Sequence, residues 1–210
     1  MIFSNDWFNQ NAKIIWDKLI PTLKINKILE IGSYEGRSLC YLIELLGKDS
    51  DLEVHAIDTW GGGEDQVSKR LASEVTMSEV EKRFILNTQI VIENSKHKID
   101  LHVHKGSSDL ELSKLLSSGY RDYFDFIYVD GSHETTDTLL DATLAFRLLK
   151  KGGTMIIDDY LWHVDTRDNY RPKLAIDAFV NLHFHQLDIY QTNNAQMYIL
   201  KRTQPIVAMK

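Results

Sequence analysis

The segment Ile28 to Ser38, ILEIGSYEGRS, constrains the fold more than any other stretch: a short apolar run ends in an acid, enters a glycine turn and leaves into a helix. Gly32 allows the chain to turn sharply after the strand, and Gly36 allows backbone to approach a ligand. The helix that follows presents its N-terminal N–H groups to the same place. This is the arrangement that cradles a nucleotide-like cofactor in an α/β protein. A dinucleotide fingerprint would need G-x-G-x-x-G, but Gly32 is followed by Ser33, Tyr34 and Glu35 before Gly36, so the pyrophosphate pattern is not met. Glu30, just before the turn, favours a positively charged ligand instead.

A second apolar strand, Leu52 to Asp58 (LEVHAID), also ends in an acid. Asp58 suits two ribose hydroxyls that need an acceptor, or alternatively an N-cap or turn. The loop after it, WGGGEDQ from Trp60 to Gln66, reads as a lid. With 210 residues, 43% hydrophobic and 26% charged, the chain is expected to form one soluble domain with a substantial core. Cys40 is the single cysteine and sits in an apolar helical run, so no internal disulfide framework forms and a cytoplasmic location is expected. The N-terminus lacks a basic-then-apolar leader, and no run of about 18 apolar residues occurs, so no membrane association is expected. A net charge of −6 without a long basic block argues against nucleic acid and favours a small-molecule or glycan substrate.

Along the chain, Ser4, Asn5 or Asp6 can cap a helix that carries Trp7, Ile14, Ile15 and Leu19 and stops near Pro21. Residues 1–24 are read as a lid over the cofactor or a dimer element, so a homodimer is one expectation. Helices are expected over Arg37 to Leu46, Met77 to Ile92, Thr136 to Leu149 and Pro172 to Leu182. Strands are expected at Ile99 to His104, Phe124 to Asp130 and Thr154 to Asp158, with an antiparallel hairpin of Phe184 to Gln191 and Ala195 to Lys201 turning at Asn193 and Asn194. The segment Lys105 to Ser108 (KGSS) is a turn expected to face an adenine, and Lys150 to Gly153 a tight turn before strand five. No repeat or linker divides the chain. Because ligands in doubly wound sheets bind outside the carboxyl ends of the strands, Glu30, Asp58, Ser107, Asp130, Asp158 and Asp159 are expected to line one crevice.

The second constellation is DFIYVDGSH, with Asp130 and His133, followed after one helix by GGTMIIDDYLWH, with Asp158 and Asp159. Three carboxylates at strand ends repel one another unless a cation intervenes, and Mg²⁺ prefers a few hard oxygen ligands. Turn and helix caps are the plainer alternative for the same aspartates.

The spacing E-x-G-x-x-x-G over Glu30, Gly32 and Gly36 resembles motif I of class I S-adenosylmethionine (SAM) methyltransferases. Together with the DGSH segment, Ile28 to Arg202 resembles the metal-dependent O-methyltransferases of the DGSH-bearing methyltransferase family 24, related to catechol O-methyltransferase. The resemblance implies a Rossmann-like doubly wound seven-stranded sheet of order 3-2-1-4-5-7-6, with its last strand antiparallel and helices on both faces. It implies SAM held by Glu30, Gly32, Ser33, Gly36, Ser38, Asp58, Thr59, Ser107, Ser108 and Asp130, and Mg²⁺ or another divalent cation held by Asp130, Asp158 and Asp159. Methyl transfer to a hydroxyl, one of a vicinal pair in some substrates, would then use a general base. In the catechol enzyme the base is a lysine three residues past the strand-four aspartate; that position is His133 here, and imidazole accepts a proton near neutral pH. His163, five residues after Asp158, competes for the role. Trp60, Tyr160, Trp162, Arg167 and Arg171 are candidate substrate contacts.

His102 and His104 share a strand face, as do His183 and His185. Such pairs can bind metal, yet neither has a further ligand nearby in sequence, so core or edge histidines are the plainer reading. Three rival functions stay open: an NAD-dependent oxidoreductase, a non-catalytic SAM-fold binding module, and an iron-dependent hydroxylase on the same fold.

Overall fold

The computed structural model describes residues 1–62, 75–162, 169–190 and 195–206. Among them, seven strands form one sheet of order β3-β2-β1-β4-β5-β7-β6. The strands are β1 (Lys27–Ile31), β2 (Leu52–Asp58), β3 (Ile99–Lys105), β4 (Phe124–Val129), β5 (Leu149–Ile157), β6 (Leu187–Tyr190) and β7 (Met197–Lys201). The chain divides into two compact units, Met1–Ser107 and Ser108–Lys210.

In the first unit β1, β2 and β3 pair in parallel. Parallel strands are covered on both faces, which is why β1 and β2 read as near-continuous apolar runs. Helix α1 (Trp7–Gln10), α2 (Lys13–Leu19), α3 (Arg37–Leu46) and α4 (Met77–Glu93) accompany them. The expected single N-terminal helix is thus two. Asp6 precedes α1 without capping it, because its carboxylate accepts from Asn9 Nδ2 at 2.5 Å, and asparagine-rich sequence competes with helical hydrogen bonding. Helix α4 opens on a reciprocal capping box between Thr76 and Glu79.

In the second unit β4 and β5 are parallel, and β7 runs antiparallel to both β5 and β6. Helices α5 (Ser108–Ser117), α6 (Thr135–Leu148) and α7 (Pro172–His183) belong here. Helix α5 was not anticipated beyond the KGSS turn, although a serine followed by Asp109 and Glu111 is an N-terminal signal. The Lys150–Gly153 turn lies inside β5 as a bulge: Leu149 pairs with Phe124 and Thr154 with Phe126, so only Asp125 faces the intervening residues. Gly152 there takes φ +81°. Strand β6 begins three residues later than expected because α7 runs on to His183.

Gly36 caps α3 at φ +78°, and a Cβ there would stand 3.0 Å from Phe84 Cδ2. Its freedom therefore serves a left-handed turn and the approach of α4. Gly36→Ala is expected to lower stability by about 2–4 kcal/mol, read by chemical denaturation, from conformational strain plus overpacking.

Candidate functional site

In the first unit, the turns after β1 and β2 are tied together by Asp58. Its Oδ2 accepts the Tyr34 N–H at 2.8 Å and its Oδ1 accepts the Trp60 N–H at 2.7 Å. The Trp60 indole donates to the Tyr34 carbonyl at 3.0 Å, and the Gly32 N–H donates to the Ile57 carbonyl at 2.9 Å. Tyr34 and Trp60 both adopt the left-handed region, at φ 49° and 45°. Residues other than glycine hold such conformations only where surroundings over-determine them. Burial pushes the Asp58 carboxyl up, against the lowering effect of those backbone N–H groups. The backbone N–H groups of Ser33 and Thr59 also donate to this carboxylate. Trp60 is buried against Phe84, with ring centroids 4.9 Å apart, so it locks the loop; residues 63–66 of the expected lid lie outside the described residues. Thr59 is exposed and its hydroxyl accepts the Gly61 N–H at 3.0 Å.

Glu30 is fully buried and accepts from Ser38 Oγ at 2.5 Å through Oε1. Its Oε2 is buried without a hydrogen-bond partner. Burial raises its pKa to about 7, opposed by the Ser38 hydrogen bond. A carboxylate in that position fits a cationic ligand group such as an amine, which would supply the missing donor and counter-charge. Ser33 is buried beside it in sequence, Ser107 is exposed, and Ser108 opens α5 with its hydroxyl hydrogen-bonded to buried Asp141.

The chain's first residues fasten onto the same turn. Asn87 exchanges hydrogen bonds with the Ile2 N–H (2.7 Å) and carbonyl (2.8 Å), and Glu35 accepts the Ser4 N–H at 2.6 Å and Arg83 Nη1 at 2.9 Å. Arg37 lies over the Phe3 ring and donates to the Asn5 carbonyl at 2.6 Å. Sequence reasoning missed Glu35 and Asn87, since a buried carboxylate and a helix asparagine carry no motif.

In the second unit, Asp130, His133 and Asp159 each bring one ligand atom within 4.8 Å of the others. They line a cleft together with Gly131, Ser132, Thr138 and Asp158. His133 Nε2 lies 2.8 Å from Asp159 Oδ2, and its ring packs on Trp162 at 4.2 Å. Asp159 takes φ 59°, a left-handed conformation that aspartate tolerates better than most residues. Asp158 stands behind: it accepts from Tyr128 Oη, from Gln196 Nε2 at 2.7 Å and from the Asp159 N–H at 2.8 Å. Burial, then the Asp159 charge, pushes its carboxyl up. Tyr128 Oη also lies 3.1 Å from Asp130 Oδ2, and burial together with these aspartates drives its own pKa well above normal. Tyr128 and Gln196 were missed. Tyr128 could have been found, because it lies two residues before Asp130 and therefore on the same strand face. The carboxylates of Asp130 and Asp159, open to a cleft beside an imidazole, fit a hard divalent cation.

Tyr160 is turned to Asp177 (2.8 Å) and Lys173 (2.7 Å), and the Arg171 N–H donates to Thr135 Oγ1 at 3.1 Å. His163 and Arg167 lie outside the described residues.

The sequence pattern of a family described as a methyltransferase domain matches residues 29–160. The chain belongs to that methyltransferase family. The match spans Glu30, Asp58, Asp130, Asp158 and Asp159 and ends before His163. A curated Dictyostelium discoideum relative, probable caffeoyl-CoA O-methyltransferase 1, is 32% identical over 88 residues, which cover 40% of this chain and 36% of the relative. The methyltransferase chain thus spans about a third of the length of the curated relatives it matches. Among solved structures, an O-methyltransferase from Bacillus cereus in complex with SAH shares the fold with a TM-score of 0.53, at 19% identity over 84% of this chain and 74% of that one. MycE methyltransferase from the mycinamycin biosynthetic pathway, in complex with Mg, SAH and mycinamycin VI, gives 0.55 at 13% identity over 99% of this chain and 54% of that one. No helix among the described residues is long and apolar enough to cross a membrane.

Glu30 retains its proton in the folded state up to about pH 7, whereas the unfolded chain releases it near the ordinary value of 4.5. The folded state therefore binds more protons between those values, and its stability falls as pH rises through this window, by up to about 3 kcal/mol from this group. Glu30→Gln is expected to remove that share of the decline and to be the more stable protein at pH 8, measured by urea unfolding from pH 4 to 8.

Proposed function

We propose that this protein is a SAM-dependent O-methyltransferase acting on a hydroxyl of a small molecule or sugar, with a divalent cation and a histidine base. The observation that carries the reading is the meeting of Asp130, His133 and Asp159 in a cleft of a methyltransferase-family chain. The names of the relatives, a probable caffeoyl-CoA O-methyltransferase and a methyltransferase solved with Mg, SAH and mycinamycin VI, support O-methylation of a small molecule.

SAM, when bound, supplies an electrophilic methyl group on a sulfonium. Asp130 and Asp159 would hold a divalent cation, with Asp158 as the third carboxylate, and the ion would supply Lewis acidity toward the acceptor hydroxyl. Glu30 binds the cationic end of the donor through its unsatisfied Oε2, and Asp58 accepts from the ribose. Asp159 only accepts, so His133 Nε2 carries the hydrogen between them and Nδ1 holds the lone pair that takes the acceptor's proton. Asp159 then stabilises the imidazolium, and Trp162 shields one side of the ring from water. Tyr128 and Gln196 hold Asp158 so that the carboxylates do not turn away.

The test is calorimetric binding of S-adenosylhomocysteine, Mn²⁺ titration followed by electron paramagnetic resonance, and labelled methyl transfer to a panel of diols, catechols and sugars. S-adenosylhomocysteine is expected to bind wild type and to bind Glu30→Gln more weakly; one Mn²⁺ site is expected to be lost in Asp130→Asn/Asp159→Asn. His133→Ala is expected to lower kcat by about 10²–10⁴-fold, whereas a larger loss in His163→Ala moves the base to that residue. Failure to bind S-adenosylhomocysteine overturns the reading, and cofactor binding without an Mn²⁺ site leaves a metal-independent methyltransferase.

A further inference from the structure

The pairing of β2 with β3 puts a cluster of imidazoles and carboxylates on one face of the first unit. The parallel register sets Glu53 opposite Asp100, His55 opposite His102 and Ile57 opposite His104. Side chains alternate along a strand, so Glu53, His55, Asp100, His102 and His104 share a face. The ligand that the His102 and His104 pair lacks in sequence is supplied by the neighbouring strand.

We propose that Glu53, His55 and His102 form a second divalent metal site, suited to Zn²⁺, that joins β2 to β3. One ligand atom from each lies within 4.8 Å of the other two. Tetrahedral zinc with bonds of about 2.0–2.1 Å to N and O needs donor atoms about 3.3 Å apart, a contraction that side-chain rotation of the partly exposed Glu53 and His102 supplies. His55 is buried and held from both sides, with Nε2 3.0 Å from Glu53 Oε1 and Nδ1 2.9 Å from His104 Nε2. Coordination through Nε2 leaves the hydrogen on Nδ1, where His104 accepts it. That is the outer contact which orients metal-ligating histidines. Asp100 Oδ1, 3.6 Å from His102 Nε2, lies beyond hydrogen-bond length and adds negative charge beside the second imidazole. The rings of His55 and His102 are stacked, with centroids 4.5 Å apart. Two imidazoles and one carboxylate suit Zn²⁺ and its transition-metal neighbours, not Mg²⁺, which distinguishes this donor set from the oxygen-rich cluster of Asp130 and Asp159. Since β3 ends the strand order and β2 leads to Asp58, the ion would clamp the terminal strand to the strand that carries Asp58.

The experiment uses the full chain stripped by a chelator and titrated with Zn²⁺ against a fluorescent zinc indicator, with Co²⁺ absorption reporting coordination geometry. Wild type and Asp130→Asn/Asp159→Asn are both expected to bind one Zn²⁺ tightly and to give the strong visible bands of tetrahedral Co²⁺. His102→Gln and Glu53→Gln are each expected to weaken Zn²⁺ by more than about tenfold and to lose those bands. Zn²⁺ at a hundredfold excess over Kd is expected to raise Tm by about 5 °C or more in wild type and by much less in His102→Gln. His102 is partly exposed, and circular dichroism of each variant separates loss of metal from loss of fold. Equal Zn²⁺ affinity in wild type and in both single variants overturns the proposal, as does loss of all Zn²⁺ binding in Asp130→Asn/Asp159→Asn.

Discussion

Parallel strands must be covered on both faces, and that requirement organises everything else in this protein. Strand β4 is buried at every position from Phe124 to Val129, and β1 is nearly so. Polar chemistry is largely excluded from such strands and collects where they end, in the turns that follow. Asp130 and Asp158 stand just past such ends, and Glu30 and Asp58 within the last two residues of their strands. The exceptions inside strands are paired: Asp125 meets Lys150 in an ion pair, and Lys201 is held by Asp122 at 2.6 Å and by the carbonyls of Phe146 and Leu149.

The two candidate regions handle buried charge differently. Glu30 keeps one oxygen unsatisfied and favours its protonated form near neutrality, so the folded chain carries a cost that a cationic ligand relieves. Asp158 is satisfied from three directions by Tyr128, Gln196 and the Asp159 backbone. Asp159 and His133 are left facing the cleft, half-exposed and paired with each other. A polar group that is well satisfied is a positioning element, whereas one short of partners is where a ligand binds most favourably.

Local pattern made most of the elements legible. The apolar runs ending in acids located β1, β2 and β4 to within a residue, and helical periodicity placed α3 from Arg37 to Leu46. Errors arose where short-range competition decides. The asparagines near Asn11 split the N-terminal helix, and the lysine and glycine stretch before Thr154 forms a bulge where a turn was expected. Helix α5 begins at the last residue of the KGSS segment, whose turn residues mask the acidic first turn that signals the helix.

By itself the sequence determined the order of strands and helices, the acids at the strand ends and the pairing of DGSH with a later Asp-Asp, because these follow from periodicity and from spacing along one chain. Tertiary structure alone decided which side chains meet. It joined Asp58 to Tyr34, and it set Tyr128 and Gln196 behind Asp158. It also brought His55 and Glu53 of one strand to His102 of the next. Those contacts depend on parallel register and on burial across tens of residues, where a shift of one position would turn every side chain to the opposite face.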